Sequence, residues 1–164
     1  MGILELLRRF QIEPPIDVNT IIRRLGISIS YDTPLHPDIV GQIQKIGSGY
    51  RISVQPNDHP NRQRFTAAHE LGHFLFHSDL LGKGVDDDRM YRSTNIGQFY
   101  NSNVHPRHET EANNFAALTL MPEHLIQSRY RGTDGSAREL AREFQVSPAA
   151  MRIRLDNLGL RHHD

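Results

Sequence analysis

Apolar residues recur at helical spacing at both ends of the chain and alternate in between. Ile3, Leu4, Leu7 and Phe10 mark one helix face, which Pro14-Pro15 closes off. Asp17 is an N-cap for a second short helix striped by Val18, Ile21, Ile22 and Leu25, and Gly26 stops it. Residues 27–31 alternate strictly and predict a half-buried strand. Two more strands are expected over 39–46 and 50–54, with Gly47-Ser48-Gly49 as the hairpin turn between them. In the second of these, Tyr50, Ile52 and Val54 should face the core, with Arg51 and Ser53 outside.

A longer helix is predicted over 61–77, packed through Phe65, Ala68, Leu71, Gly72 and Leu75. The pattern then dissolves into polar and glycine residues over 82–106, a stretch expected to lack regular structure. Its run Asp86-Asp87-Asp88 lacks the spacing of a calcium loop and reads as solvated loop charge. Helical periodicity resumes over 107–120 with Ala112, Phe115, Ala116 and Leu120 inward, and Pro122 restarts the chain into a short helix. In the tail, Ser136 with Glu139 forms a capping box, and Ser147-Pro148 opens a last helix. The expected fold is α+β: a small, mostly antiparallel sheet packed on helices, then a helix-turn-helix-like module. The expected division is residues 1–131 and 132–164.

The 164 residues suffice for a real core, and 19 basic residues balance 19 acidic ones. A neutral chain lacks the charge of a protein built to grip nucleic acid. The tail carries six arginines against five acids over 131–164, a poor balance for phosphate contact, so direct DNA binding is not expected. The absence of cysteine excludes a disulfide framework, a cysteine zinc finger and a thiol nucleophile. The opening ten residues are too short and too soon charged for a signal peptide, and no apolar run nears the roughly 18 residues of a membrane span. A cytoplasmic protein without a membrane partner is expected.

Within the long helix stands His69-Glu70-Leu71-Gly72-His73. Histidines four apart lie one turn apart on one helix face, so both imidazoles can reach one ion. Glu70 lies beside them, placed to accept a proton from water that the ion activates. A hydrolytic zinc centre takes three protein ligands and keeps one position open. No His-x-x-Gly-x-x-His run follows, so the third ligand is sought on a later helix, in His108-Glu109-Thr110-Glu111-Ala112-Asn113. Glu109 and Glu111 compete for that role, about 200° apart round the helix. Glu109 is favoured because Asn113, four residues on, shares its face and can orient a histidine. His77 reads as a structural or ligand-orienting histidine, and His59, His105 and His108 as surface residues. Tyr91 and Tyr100 read as ordinary loop tyrosines, although either could donate to an oxyanion.

The run Arg64 to His77 resembles the motif helix of the ImmA/IrrE family of metallopeptidases. The block Glu109 to Ala117, ending in Leu120-Met121-Pro122, is similar to that family's second motif. The tail from Leu140 to Ser147, with Met151, Arg154 and Leu155, resembles its closing helical module, and Asp17–Gly26 its leading helix. The likeness spans roughly residues 15–160. It implies a minimal glutamate-zincin fold with His69, His73 and a glutamate, matching Glu109, holding zinc, with manganese as the alternative. It also implies Glu70 as catalytic base, and a helix-turn-helix repressor or antitoxin as the substrate whose cleavage switches a mobile-element, prophage or stress response. The 82–106 stretch is longer than the family pattern suggests, so a lid, a recognition loop or a disordered insertion is expected there. No counterpart of the sensor domain that some relatives carry is expected. Tyr50–Val54 is the strand expected to pair with an extended substrate. The competing function is a DNA- or repressor-binding regulator with a non-catalytic metal site.

Overall fold

A computed structural model of the chain describes residues 2–88 and 97–164. Two short helices, α1 (Ile3–Phe10) and α2 (Val18–Arg24), lead into strands β1 (Ser28–Ser30), β2 (Ile39–Ile46) and β3 (Gly49–Val54). The long helix α3 (Pro60–His77) and strand β4 (Gly84–Asp88) follow. Then come helices α4 (Pro106–Leu120), α5 (Glu123–Tyr130), α6 (Ala137–Phe144) and α7 (Pro148–Asn157). Side-chain caps set several of these starts: Asp17 accepts from the Thr20 amide at 3.1 Å, Ser136 from Glu139 at 3.2 Å and Ser147 from Ala150 at 3.1 Å. Proline stands at the first position of α3, α4 and α7, where its missing N–H costs nothing.

Among the described residues the sheet has four strands in the order β1-β3-β2-β4. The β2–β3 hairpin turns at Gly47, whose φ of 60° lies in the region that glycine adopts without strain. The sheet is mostly antiparallel, as expected: β2 pairs antiparallel with β3 and with β4, and β1 joins β3 in parallel. Two features differ from the sequence expectation. The stretch 82–106 contains a strand, β4, which pairs with β2 from Ile39↔Asp88 to Gln44↔Gly84. Ser53 is fully buried rather than outside, and Gln42 and Gln44 on the neighbouring strand are largely buried too. Alternation reveals which face of a strand is apolar, and it does not reveal whether the polar face is covered too.

One buried cluster joins Ile43, Ile52, Val54 and Val85 of the sheet to Ala67, Ala68 and Leu71 of α3 and Phe115, Ala116 and Leu120 of α4. Leu140, Phe144, Met151 and Leu155 from the tail helices belong to the same cluster. The contact that sets the geometry is α3 against α4. A Cβ added at Gly72 would stand 3.2 Å from Ala112 Cα and 3.2 Å from the Phe115 ring, so the helices meet where the side chain is smallest. After β4 the chain is tied back to the turn that follows α3: Asn101 donates through Nδ2 to the carbonyls of Leu80 and Leu81 at 2.6 and 3.1 Å.

Gly72→Val forces overpacking at this contact and is expected to destabilise the fold by about 1–3 kcal/mol. Urea unfolding checks this: the midpoint should fall with an unchanged slope, and an unchanged midpoint would show that α4 can move away freely.

Candidate metal centre

Residues His69 and His73 lie one turn apart on α3, both buried, with ring centroids 4.8 Å apart and ring planes nearly perpendicular. Their Nε2 atoms point to the same place. Glu109, on the first turn of α4, approaches both: Oε2 is 3.1 Å from His69 Nε2, and Oε1 is 2.9 Å from His73 Nε2. The remote nitrogens are engaged separately. His69 Nδ1 is 2.7 Å from Asn113 Oδ1 and donates to it. His73 Nδ1 is 3.0 Å from His77 Nδ1, and His77 Nε2 is 2.8 Å from Glu111 Oε2. With His73 donating to His77 and His77 donating to Glu111, both Nε2 lone pairs are left for an ion.

The structure therefore brings His69, His73, Glu70, Glu109 and Asn113 together, and puts Glu111 on the far side of His77. It also adds a residue that the sequence reading missed. Asp87, the fourth residue of β4, is 7% exposed, and its Oδ2 lies 3.1 Å from His69 Nε2 and 3.4 Å from His73 Nε2. Its reading as solvated loop charge is corrected by the pairing of β4 with β2, which turns the side chain inward opposite Gly41. His108 is likewise buried, its ring 4.7 Å from that of His77, whereas His59 and His105 are exposed as expected. Tyr100 is 43% exposed, and Tyr91 lies outside the described residues.

The donor atoms of His69, His73, Asp87 and Glu109 all lie within 4.8 Å of one another. His73 Nε2, Asp87 Oδ2 and both Glu70 oxygens are buried without a well-directed hydrogen bond. Imidazole nitrogens and carboxylate oxygens converging in this way are the donor types that a borderline divalent ion such as zinc takes, so the residues fit a metal centre. Glu70 has room because Gly41 has no side chain: a Cβ there would stand 2.4 Å from Thr66 Cγ2 and 3.3 Å from Glu70 Oε1.

The matching region extends well beyond the metal cluster. Residues 22–156 match the peptidase family described as the IrrE N-terminal-like domain, which is most of the chain. The chain belongs to this family. Two curated relatives, each named radiation response metalloprotease IrrE, come from Deinococcus deserti and Deinococcus radiodurans. The first is 37% identical over 99 residues, covering 58% of this chain and 32% of its own. The second is 38% identical over 103 residues, covering 60% of this chain and 28% of its own. The chain thus matches about a third of the length of these relatives. A solved Mycobacterium tuberculosis transcriptional regulator superposes with a TM-score of 0.58 at 18% identity, over 94% of this chain and 46% of that one, a likeness that bears on the fold alone.

For this family member the electrostatics follow from burial and from the paired carboxylates. Burial opposes charge on His69, but Asp87 and Glu109 outweigh it and hold the imidazole well above its ordinary value. The same balance pushes His73 up to about 9. Burial drives the Glu70 carboxyl well up, and the nearby Asp87 and Glu109 charges add to this. Asp87 moves the opposite way: burial favours its neutral form, yet His69, Glu70 and His73 together hold it well below the usual carboxylate range.

Two expectations follow. In protein stripped of metal by a chelator, His69 and His73 carry protons at neutral pH, and ligation must expel them. Zinc affinity should therefore rise as pH climbs from about 6.5 towards 9, with about two protons released per ion. Calorimetry in buffers of different ionisation enthalpy reads that number, and a value of zero would contradict the charge assignment. Separately, His77→Phe removes the acceptor that orients His73 and should weaken zinc binding by about 10–100-fold. Chelator competition measures it, and an unchanged affinity would mean that His77 is only packing.

Proposed function

We propose that the chain is a zinc-dependent endopeptidase, with manganese as the alternative ion, that cleaves a helix-turn-helix repressor or antitoxin in the cytoplasm. The observation that carries this reading is Glu70. It is a fully buried carboxyl beside the His69–His73–Glu109 cluster, with Asp87 as its interacting neighbour and no well-directed hydrogen bond. A purely structural ion has no use for such a group. Membership of a peptidase family and likeness to two radiation response metalloproteases support the same reading.

In this reading His69, His73 and Glu109 hold the ion, which supplies Lewis acidity and lowers the pKa of water at the site towards about 7. Asn113 and the His77–Glu111 pair keep the two imidazoles turned correctly. Glu70 takes a proton from the attacking water as its oxygen adds to the peptide carbonyl carbon. It then returns that proton to the amide nitrogen as the carbon–nitrogen bond breaks. Burial raises this carboxyl well above its ordinary value, which favours its holding the proton between the two steps.

The strand expected to receive substrate is corrected by the topology. Tyr50–Val54 lies in β3, which is hydrogen-bonded to β1 on one side and β2 on the other, so it offers no free edge. We read residues 1–131 as the peptidase unit and 132–164 as a helix-turn-helix-like packing module. No helix among the described residues is long and apolar enough to cross a membrane. One observation favours a non-catalytic regulator instead: Asp87 makes the donor set four, the number of a closed structural site. Glu70 weighs against it.

Mixing the chain with zinc or manganese and the regulator encoded beside it, then mapping fragments by mass, tests the proposal. Glu70→Gln should abolish cleavage while metal binding persists. An undiminished rate in that variant would remove Glu70 from the chemistry, and an intact regulator under every metal condition would count against proteolysis itself.

A further inference from the structure

Asp87 is the one member of the cluster to which the steps above give no task. We propose that it is a fourth protein ligand closing the metal centre in the resting fold, and that strand β4 is the arm that carries it. This rests on the reading that His69, His73 and Glu109 hold an ion.

Three observations point this way. Asp87 Oδ2 stands 3.1 and 3.4 Å from the same two imidazole nitrogens that Glu109 approaches at 3.1 and 2.9 Å, so the two carboxylates address the ion's position on nearly equal terms. The oxygen is also buried, and those two imidazoles balance its charge; once they give up protons to ligate, an ion at the same place takes over that role. Finally, Asp87 interacts with Glu70, and its charge helps to hold the Glu70 carboxyl above its ordinary value.

A centre with four protein ligands and a buried base is contradictory if static. It is coherent if one ligand can leave. The two carboxylates differ in what holds them. Glu109 belongs to the 15-residue helix α4, pressed against α3 at Gly72. Asp87 belongs to a five-residue strand that, among the described residues, is paired only with β2, with a register shift between Ile39 and Gly41 just where Asp87 pairs. Val85 is its buried apolar anchor, and the three residues after it are acidic. Short edge strands with little apolar anchorage are the segments that open at least cost. If β4 leaves β2, the fourth position opens and the edge of β2 beside Glu70 is bared, where an extended peptide can pair in its stead.

The test is cobalt(II) in the full chain, followed by its visible spectrum, with zinc affinity measured by chelator competition. The wild-type cobalt spectrum should be of the four-coordinate type and stay constant from about pH 6.5 to 9, because no solvent ligand is present to ionise. Asp87→Asn should bind zinc at least about tenfold more weakly, and its cobalt spectrum should titrate near pH ~7 as a solvent ligand enters. A wild-type spectrum that already titrates in this way would overturn the proposal, whatever the variant does. Glu109→Gln separates the two readings. Weakened binding in Glu109→Gln with wild-type affinity in Asp87→Asn would overturn the role of Asp87 alone. A wild-type chain that binds neither ion would overturn the metal centre with it.

Discussion

Gly72 stands where α3 meets α4, one residue before His73, and the backbone of Ala112 lies against it. That approach brings the first turn of α4 over the motif helix, so that Glu109 spans His69 and His73 within 3.1 Å of each and Asn113 reaches the far side of His69. Contacts of this length have little slack. A methyl group at Gly72 would push α4 away by a few tenths of an ångström, and every donor that α4 brings to the motif helix would shift with it. Packing density here is a condition of the chemistry.

The two imidazoles are fixed from opposite ends of the site. Asn113 holds His69 through a single amide oxygen, whereas His73 is held through His77, which is in turn held by the half-exposed carboxylate of Glu111. Each arrangement uses up Nδ1 and turns Nε2 inward. The second runs along one face of α3 and ends at solvent, which explains why a buried histidine sits four residues beyond the motif. It also explains why two glutamates on one helix have different partners.

Much of this was legible in the sequence, because it is local. His69, Glu70 and His73 lie within one helical turn of each other. Glu109, Asn113 and the choice over Glu111 follow from spacing on a second helix. The caps at Asp17, Ser136 and Ser147 are read from single residues and their followers. What was not legible depends on distant pairing. Val85 to Asp88 has no alternation to mark it as a strand, and Asp87 is buried only because β2, from before α3, lies alongside. The same pairing encloses β2, while the pairing of β1 with β3 puts β3 in the interior and overturns the expected substrate edge. Ser53 and His108 were misplaced for a related reason: a polar residue's burial is decided by what covers it.

The charge bookkeeping of the cluster has one more consequence. His69 and His73, both held above their ordinary values, each bring a proton to a site that also holds Asp87, kept in its charged form. Two protons carry the same charge as one divalent ion. Exchange of one for the other leaves the net charge beneath α3 and α4 unaltered, so the core need not reorganise when its occupant changes. Small zinc-folded modules lose their structure with their metal. Here the protons stand where an ion's charge would, and the apolar core joining the sheet to α3 and α4 supplies packing that such modules lack.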